Sequence, residues 1–485
     1  MKNANRMHTL ALIVVLLLSS CASGGTAETT DASSQTDTTQ AVPADPLEAL
    51  DFGGQTITMS VSDYDGVMKW EMSSEEETGD VVNDAIFTRN QNVEQLLNVE
   101  LEFEPFTYTM SVKNTWQNHV RTSVMAGDGA YDIVHSDSYL GTAFLTDGIF
   151  SDLSTMPHID ISQKWWNRSF MEESAVNGKY VFATGDISII LIKSLYGVFV
   201  NLDLYDTFGY EENIYELVHS GKWTVDKMRE MAAGAYRDDN GNQKPDSGDM
   251  VGFLVESPNE LTGFLGANMV DMTEREGDAI RLVYGNEHNA EVVEKLCRVF
   301  HETEGVLIAS GVPMADYGEN SIFKNGKVLM HPGLFQVADA LRDVPFRYTI
   351  IPYPKWDEMQ ADYASTALQN FSIFSIPADA KDPECSAAVM EALARESSRL
   401  VTPAYYETAL KIKYAADNKM AQMVDIIKNG LTFDFAYIYS YLLGNINNEF
   451  KDCIRLNDPN WASKVAGKKN AWETSIAQLL ETIGS

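Results

Sequence analysis

The sequence predicts an α/β protein of two domains, each a mainly parallel sheet flanked by helices. Three observations predict it. Strand-like and helix-like segments alternate from residue 55 onward. About 435 residues follow the N-terminal segments, more than one hydrophobic core usually serves. Polar loops, "SDYDG" and "HSDSY", close strand-like runs, and in open parallel sheets such loops at the carboxyl ends hold ligands.

Each element follows from its residues. "GGQTITMSVSDYDG" alternates apolar and polar residues at the period of a strand. "VVNDAIFTRNQNVEQLLNVELEFEPF" reads as a helix leading into a second strand. "SVKNTWQNHVRTSVMAGDGAYDIVHSDS" reads as a helix, a glycine-rich turn and the short buried strand "YDIVHS". Strand, helix, strand, helix, strand is the order of a parallel sheet, because parallel neighbours require a crossover. Further on, "YVFATGDISIILIKSLYGVFVN" gives two extended apolar runs around Gly185-Asp186, and "KWTVDKMREMAAGAYR" a helix capped by Thr224. Helices are expected to dominate from Asp271 to Phe323. "KVLMHPGLFQVADALRD" reads as strand, turn and helix, "FRYTIIPYPK" and "NFSIFSIPAD" as strands, and the remainder as mostly helical. "FAYIYSYLLGN" is strongly apolar but too short to span a bilayer. There is no repeat of fixed period.

The N-terminus has the layout of a secretory signal: Lys2 and Arg6, an apolar run from Leu10 to Leu18, then small residues to Cys21. Leu18-Ser19-Ser20-Cys21 resembles a bacterial lipobox, which makes Cys21 the expected lipidation site after removal of residues 1–20. An ordinary cleaved signal with an incidental cysteine is the alternative. Residues 21–50 are rich in Ser, Thr, Gly and Asp and poor in large apolar residues. Such a segment cannot bury enough surface to offset its ordering entropy, so it is expected to act as a flexible acidic tether.

The formal charge is −34, and removing residues 1–20, which hold two cations and no acid, leaves −36. Nucleic acid is excluded as an expected partner, since its recognition needs a basic surface. Three cysteines remain beyond Cys21 (Cys297, Cys385 and Cys453), with no C-x-x-C pair. They form no disulfide framework, and Cys297 is expected as a buried thiol on an apolar helix face.

Enzyme signatures are scarce. There is no G-x-S-x-G elbow, no H-E-x-x-H and no P-loop, and no two of the eight histidines lie at helical ligand spacing. Among 70 acidic residues a glycosidase pair could always be chosen, and nothing favours one pair. Aromatic residues in polar, loop-like settings are more suggestive: Tyr64, Tyr139, Trp165, Trp166, Trp356 and Tyr363. With loop carboxylates and an amide (Asp65, Asp137, Asp186 and Asn370) they fit a sugar site. A pyranose stacks its C–H face on aromatic rings, while its hydroxyls need paired donors and acceptors. Core packing is the alternative for any single ring.

Residues 238–249, "DDNGNQKPDSGD", carry oxygen donors at alternating positions. Read as a twelve-residue calcium loop, Asp238, Asn240, Asn242, Lys244 (through its carbonyl), Asp246 and Asp249 would be the ligands. Gln243 stands where a glycine is expected, and Asp249 where a longer glutamate is usual. A solvated Asx-capped turn is the alternative.

Five stretches together carry a family resemblance: "GDGAYDIVHSDS", "NGKYVFATGDIS", "YGVFVNLDLYDTFGYEENIYELVHSGKWTVDKMREMA", "FKNGKVLMHPGLF" and "IIPYPKWDE". With the lipobox and acidic tether, they resemble an extracellular solute-binding protein of an ABC importer, the maltose-binding-like family 1. The resemblance spans nearly all of residues 51–485 and is distributed rather than concentrated in one motif. It implies a two-domain periplasmic-binding-protein-like fold of type II that closes on its ligand by hinge motion. It places the interdomain crossings near Ala183–Ser188, His331–Gly333 and Ser372–Pro377. Domain one would then be 51–185 plus 331–373, and domain two 186–330 plus 374–485. It adds Phe335, in "PGLF", to the ligand-facing residues. It implies a monomeric, lipid-anchored receptor on the outer face of a Gram-positive type membrane. That receptor would capture a carbohydrate, expected to be an oligosaccharide, and deliver it to permease subunits without catalysis. A peptide, polyamine or other small-solute ligand, a sensor role, and a surface glycoside hydrolase or lyase are the competing readings.

Overall fold

The computed structural model describes residues 46–66, 68–243, 248–309, 322–406 and 419–482. All of them lie within one contact unit, Asp45–Ser485. Signal segment 1–20, Cys21 and most of the tether 21–50 lie outside the described residues, as do Lys244 and Asp246.

The first sheet forms as the alternation predicts. β1 (Gln55–Tyr64), β2 (Val99–Tyr108) and β3 (Ile133–Asp137) are parallel, in the order β2-β1-β3. β1 buries Ile57, Met59 and Val61 almost completely. β2 is the edge strand and exposes Glu100, Glu102 and Glu104, charges that discourage pairing with a foreign strand. The helix Val81–Leu97 supplies the first crossover. Asp80 caps its first turn by accepting from Val82 N and Asn83 N, and Asn98 ends it in the left-handed conformation. Its buried face, Ile86, Val93 and Leu97, meets the core at helical spacing.

A second sheet follows. β4 (Tyr196–Asn201), β5 (Val251–Val255), β8 (Val306–Ile308), β9 (Val328–Leu334) and β10 (Tyr348–Ile351) lie in the order β10-β4-β9-β5-β8. Every residue of β4, β5, β9 and β10 is buried, as expected for a sheet covered on both faces. Thr224 caps the helix Val225–Gly234 by accepting from Lys227 N at 3.3 Å, as the sequence predicts. Cys297, Cys385 and Cys453 are buried free thiols.

Three expectations are corrected. Between Asp271 and Phe323 there is a two-stranded hairpin, β6 (Thr273–Glu276) with β7 (Ala279–Leu282), and strand β8, not helices alone. Gly277 at φ +61 makes the tight hairpin turn, a local signal outweighed in the sequence by the helical period around it. His331–Gly333 is not a crossing: these residues sit inside β9, paired with Phe199, Val198 and Gly197 of β4. Consequently β10 and residues 331–334 of β9, expected in domain one, belong to the second sheet. Only β11 (Ser372–Ser375) returns to the first sheet, antiparallel to β3. The helix Pro383–Glu396, expected in domain two, packs against the helix Val81–Leu97 of the first lobe. The apolar segment 435–445 is one short helix, Phe435–Ile438, followed by turns.

Two of the segments by which the chain passes between the lobes pair with each other. Ala183 bridges Phe374, and Leu195 bridges Ala367, both antiparallel. Tyr196 N donates to Thr366 O at 3.1 Å and Leu368 N to Ser194 O at 2.9 Å. Residues 183–196 and 366–374 therefore form a ribbon joining the two sheets.

Candidate functional site

The carboxyl ends of β1, β2 and β3 converge where the first lobe meets the segment after Phe435. Tyr64 ends β1 and Tyr108 ends β2; their rings lie 5.7 Å apart, and Tyr108 stacks on Trp116 at 5.5 Å. Asp137 ends β3. Its carboxylate accepts from Tyr108 Oη at 2.6 Å and from Leu140 N at 2.8 Å, capping the turn that follows. Burial raises its pKa above the ordinary carboxylate value, against the opposing effect of these donors. Tyr139 projects across the junction: its hydroxyl donates to Asn445 Oδ1 at 2.7 Å, and its ring meets Tyr441 edge-on at 5.0 Å. Lys113 Nζ sits 4.6 Å above the Tyr441 ring. The Ser138 hydroxyl is buried with no hydrogen-bond partner. Asp65 is exposed at the loop tip with φ +51. Four expected residues, Tyr64, Asp65, Asp137 and Tyr139, are thus at one end of one sheet, and Asp137 orients its neighbours rather than offering a free carboxylate.

A second group lies at the ribbon. Asp186 accepts from Lys428 Nζ at 3.0 Å, and its backbone N–H donates to Trp165 O at 2.7 Å. Trp165, Trp166, Asp186, Leu191, Ile192 and Lys428 line a cavity of about 250 Å³. The indole N–H groups of Trp165 and Trp166 both point to Glu391, at 3.0 and 2.8 Å. They tie the loop to the helix Pro383–Glu396, and Trp166 is only 4% exposed. Trp166 is corrected from ligand-facing to packing: an indole whose one donor is satisfied inside the first lobe stays there. Asn370 lies in the ribbon, its Oδ1 accepting from Ser194 Oγ at 2.6 Å.

Two further expectations are corrected. Phe335 is fully buried in the second lobe and packs over Gly197, where an added Cβ would come within 3.1 Å of its ring. Its "PGLF" setting reads as a loop, but the turn folds its ring inward. Trp356 is far in its contacts from the others: Lys295 Nζ stacks on it at 4.2 Å and His288 meets it edge-on at 5.7 Å. Both partners belong to the helix Glu287–Glu302.

Sequence reasoning missed several residues that tertiary structure brings to the junction. Trp70, in the turn Lys69–Glu71, lies 5.0 Å from Lys193 Nζ, which pairs with Asp339 Oδ2 at 2.8 Å and faces the Tyr405 ring at 5.7 Å. The Tyr405 hydroxyl is buried and has no hydrogen-bond partner. A tryptophan flanked by Lys69 and Glu71 in "GVMKWEM" was the available signal; Lys193 and Tyr405 gave none.

The described residues contain one serine–histidine–glutamate constellation. His135 Nε2 is 2.9 Å from Glu71 Oε1 and 2.8 Å from Ser372 Oγ. It is not the geometry of a nucleophilic triad, which uses the two ring nitrogens separately. Here both contacts fall on Nε2, Nδ1 has no partner, and all three side chains are buried.

In the 238–249 loop, Asp238 accepts from Gly241 N at 2.6 Å and Gln243 N at 2.8 Å, and Asn240 Oδ1 accepts from Asn242 N at 2.9 Å. Asp249 Oδ1 accepts from Asp239 N at 3.2 Å. Gln243 takes φ +59, the conformation that the glycine of a calcium loop adopts. These bonds serve a solvated Asx turn equally well.

No family model matches the chain, and no curated protein sequence matches it. Solved structures do. The cyclic α-maltosyl-1,6-maltose binding protein of Arthrobacter globiformis is similar over 88% of this chain and 100% of its own, with a TM-score of 0.56 and 14% identity. A cyclo/maltodextrin-binding protein solved with maltotetraose matches over 89% and 97%, at 0.55 and 13%. The GacH receptor of Streptomyces glaucescens, solved with acarbose, matches over 87% and 98%, at 0.54 and 13%. These neighbours are binding proteins rather than enzymes. What the chain shares with them at such identity is architecture, so it has the mixed α/β, two-lobed fold of the maltose-binding type of ABC solute-binding proteins.

Proposed function

We propose that the protein is a carbohydrate-capturing receptor of an ABC importer, binding its sugar between the lobes and releasing it to a permease. The observation that carries this reading is the convergence of Tyr64, Tyr139 and Tyr441, with Asn445 and Lys113, where the strand ends of the first lobe face the neighbouring segment. Aromatic faces for stacking beside amide and cationic donors for hydroxyls are the chemistry that a pyranose needs. The architecture shared with sugar-binding proteins supports it. Among the described residues no helix is long and apolar enough to cross a membrane. The signal segment and Cys21 support attachment to an outer membrane surface through lipid. Calcium in the 238–249 loop, held by Asp238, Asn240, Asn242, Lys244, Asp246 and Asp249, is a structural adjunct of the proposal.

The test is a thermal-shift screen of the chain against mono- and oligosaccharides, with product analysis on every positive. A ligand at 100 times its dissociation constant adds about 2.7 kcal/mol to the folded state. A shift with one glycan class and no product formed supports the receptor. A flat response to sugars with a shift from peptides or polyamines replaces the ligand class. Time-dependent cleavage of a glycan would replace the function itself.

A further inference from the structure

Glu71 is a fully buried carboxylate at the base of the ribbon. Its Oε2 accepts from Ile190 N at 3.1 Å and from Ser188 Oγ at 3.2 Å, both on the first crossing segment. Its Oε1 accepts from Ser372 Oγ, on the second crossing segment, and lies 2.9 Å from His135 Nε2 on β3. The crossings also meet directly, with Ser372 N donating to Ser188 Oγ at 3.2 Å and Thr184 Oγ1 to Ser372 O at 2.7 Å. Arg89, itself buried, fixes the turn that presents Glu71 by donating to Glu71 O at 3.1 Å and Met72 O at 2.9 Å.

A buried carboxylate is expensive unless its lone pairs are filled. Here the donors that fill them come from both crossings and from the sheet. Moving either crossing relative to the other would strip donors from the same buried charge. We infer that Glu71 is the positioning residue of the hinge, coupling these two interlobe crossings so that they move as one unit. The inference concerns the ligand-free protein and holds whatever ligand the cleft takes.

Hydrogen exchange of the full ligand-free chain tests it, comparing wild type, Glu71→Gln and Asp132→Asn. Glutamine keeps the volume but turns one acceptor oxygen into a donor nitrogen. Asp132 accepts from Thr58 N at 2.9 Å within the same sheet and serves as the structural control. The decisive amides are Tyr196 and Leu368, which bridge the crossings without touching Glu71. Coupling predicts at least tenfold faster exchange at Tyr196 and Leu368 in Glu71→Gln, and unchanged exchange there in Asp132→Asn. Faster exchange confined to Ile190, or spread evenly through β1 and β3, would overturn the inference. If Glu71→Gln does not fold, Ser188→Ala decides. It removes the side chain joining both crossings, and unchanged Tyr196 and Leu368 exchange in that variant would equally overturn the coupling.

Discussion

Glu391 is pulled in two directions. Burial favours its neutral form, while three donors favour the carboxylate: Trp166 Nε1 at 2.8 Å, Trp165 Nε1 at 3.0 Å and Asp160 N at 3.4 Å. Burial wins, and the carboxyl is pushed up from 4.5 to about 7. A folded-state pKa above the unfolded one means that the folded protein holds the proton more tightly. Stability from this group is therefore greatest below about pH 4.5 and declines until pH passes 7. At 1.36 kcal/mol per pKa unit, the decline amounts to about 3 kcal/mol. Glu391→Gln cannot titrate and removes that slope. It also sets an amide N–H₂ against one of two indole N–H donors, which costs about 1–3 kcal/mol where the donor is buried. The assay is urea unfolding of wild type and Glu391→Gln at pH 5, 6.5 and 8, since the other titrating groups cancel in the difference. The penalty of the substitution should be largest at pH 5 and shrink by about 2.5 kcal/mol by pH 8. A difference that grows with pH would show that the indoles dominate over burial and would refute the reasoning. A difference independent of pH would refute any shift at all.

Other outcomes follow from single contacts. Gly252 in β5 packs on the helix Val225–Gly234 so closely that a Cβ would lie 2.0 Å from Ala232 O. Since the obstacle is backbone, Gly252→Ala should destabilise by about 3 kcal/mol or more, above ordinary overpacking, and a variant within 0.5 kcal/mol of wild type by urea unfolding would contradict this packing. Tyr64→Ala should weaken sugar binding by roughly tenfold or more, about 1.4 kcal/mol, with little change in the unliganded melting temperature; calorimetry showing full affinity would remove Tyr64 from the site. Chelation should lower the melting temperature of wild type but not of Asp238→Ala if calcium occupies the loop, and identical melts with and without chelator would leave a solvated turn.

The alternation in residues 55–137 was sufficient to predict three parallel strands with helical crossovers, because amphipathic period and capping residues such as Asp80 and Thr224 act locally. The strand-end loops were legible for the same reason: wherever β1 and β3 end, Tyr64, Asp65, Asp137 and Tyr139 must follow. Phe335 and Trp356 were not legible as packing residues, whereas packing against the first domain was the alternative reading for Trp165 and Trp166. A ring beside proline, glycine or lysine looks exposed in sequence, and only the fold supplies Gly197 or Lys295 to cover it.

By itself, then, the sequence determined the alternating α/β order, the acidic surface and the positions of the loops that can meet a ligand. Tertiary structure alone decided which sheet receives β9 and β10, which aromatics remain at the junction, and that Glu71 joins Ser188 and Ile190 to Ser372, up to 301 residues distant. The physical reason is range. Propensity and period are written within a few neighbouring residues, whereas burial, pairing and the filling of a buried carboxylate depend on partners that only the folded chain brings together.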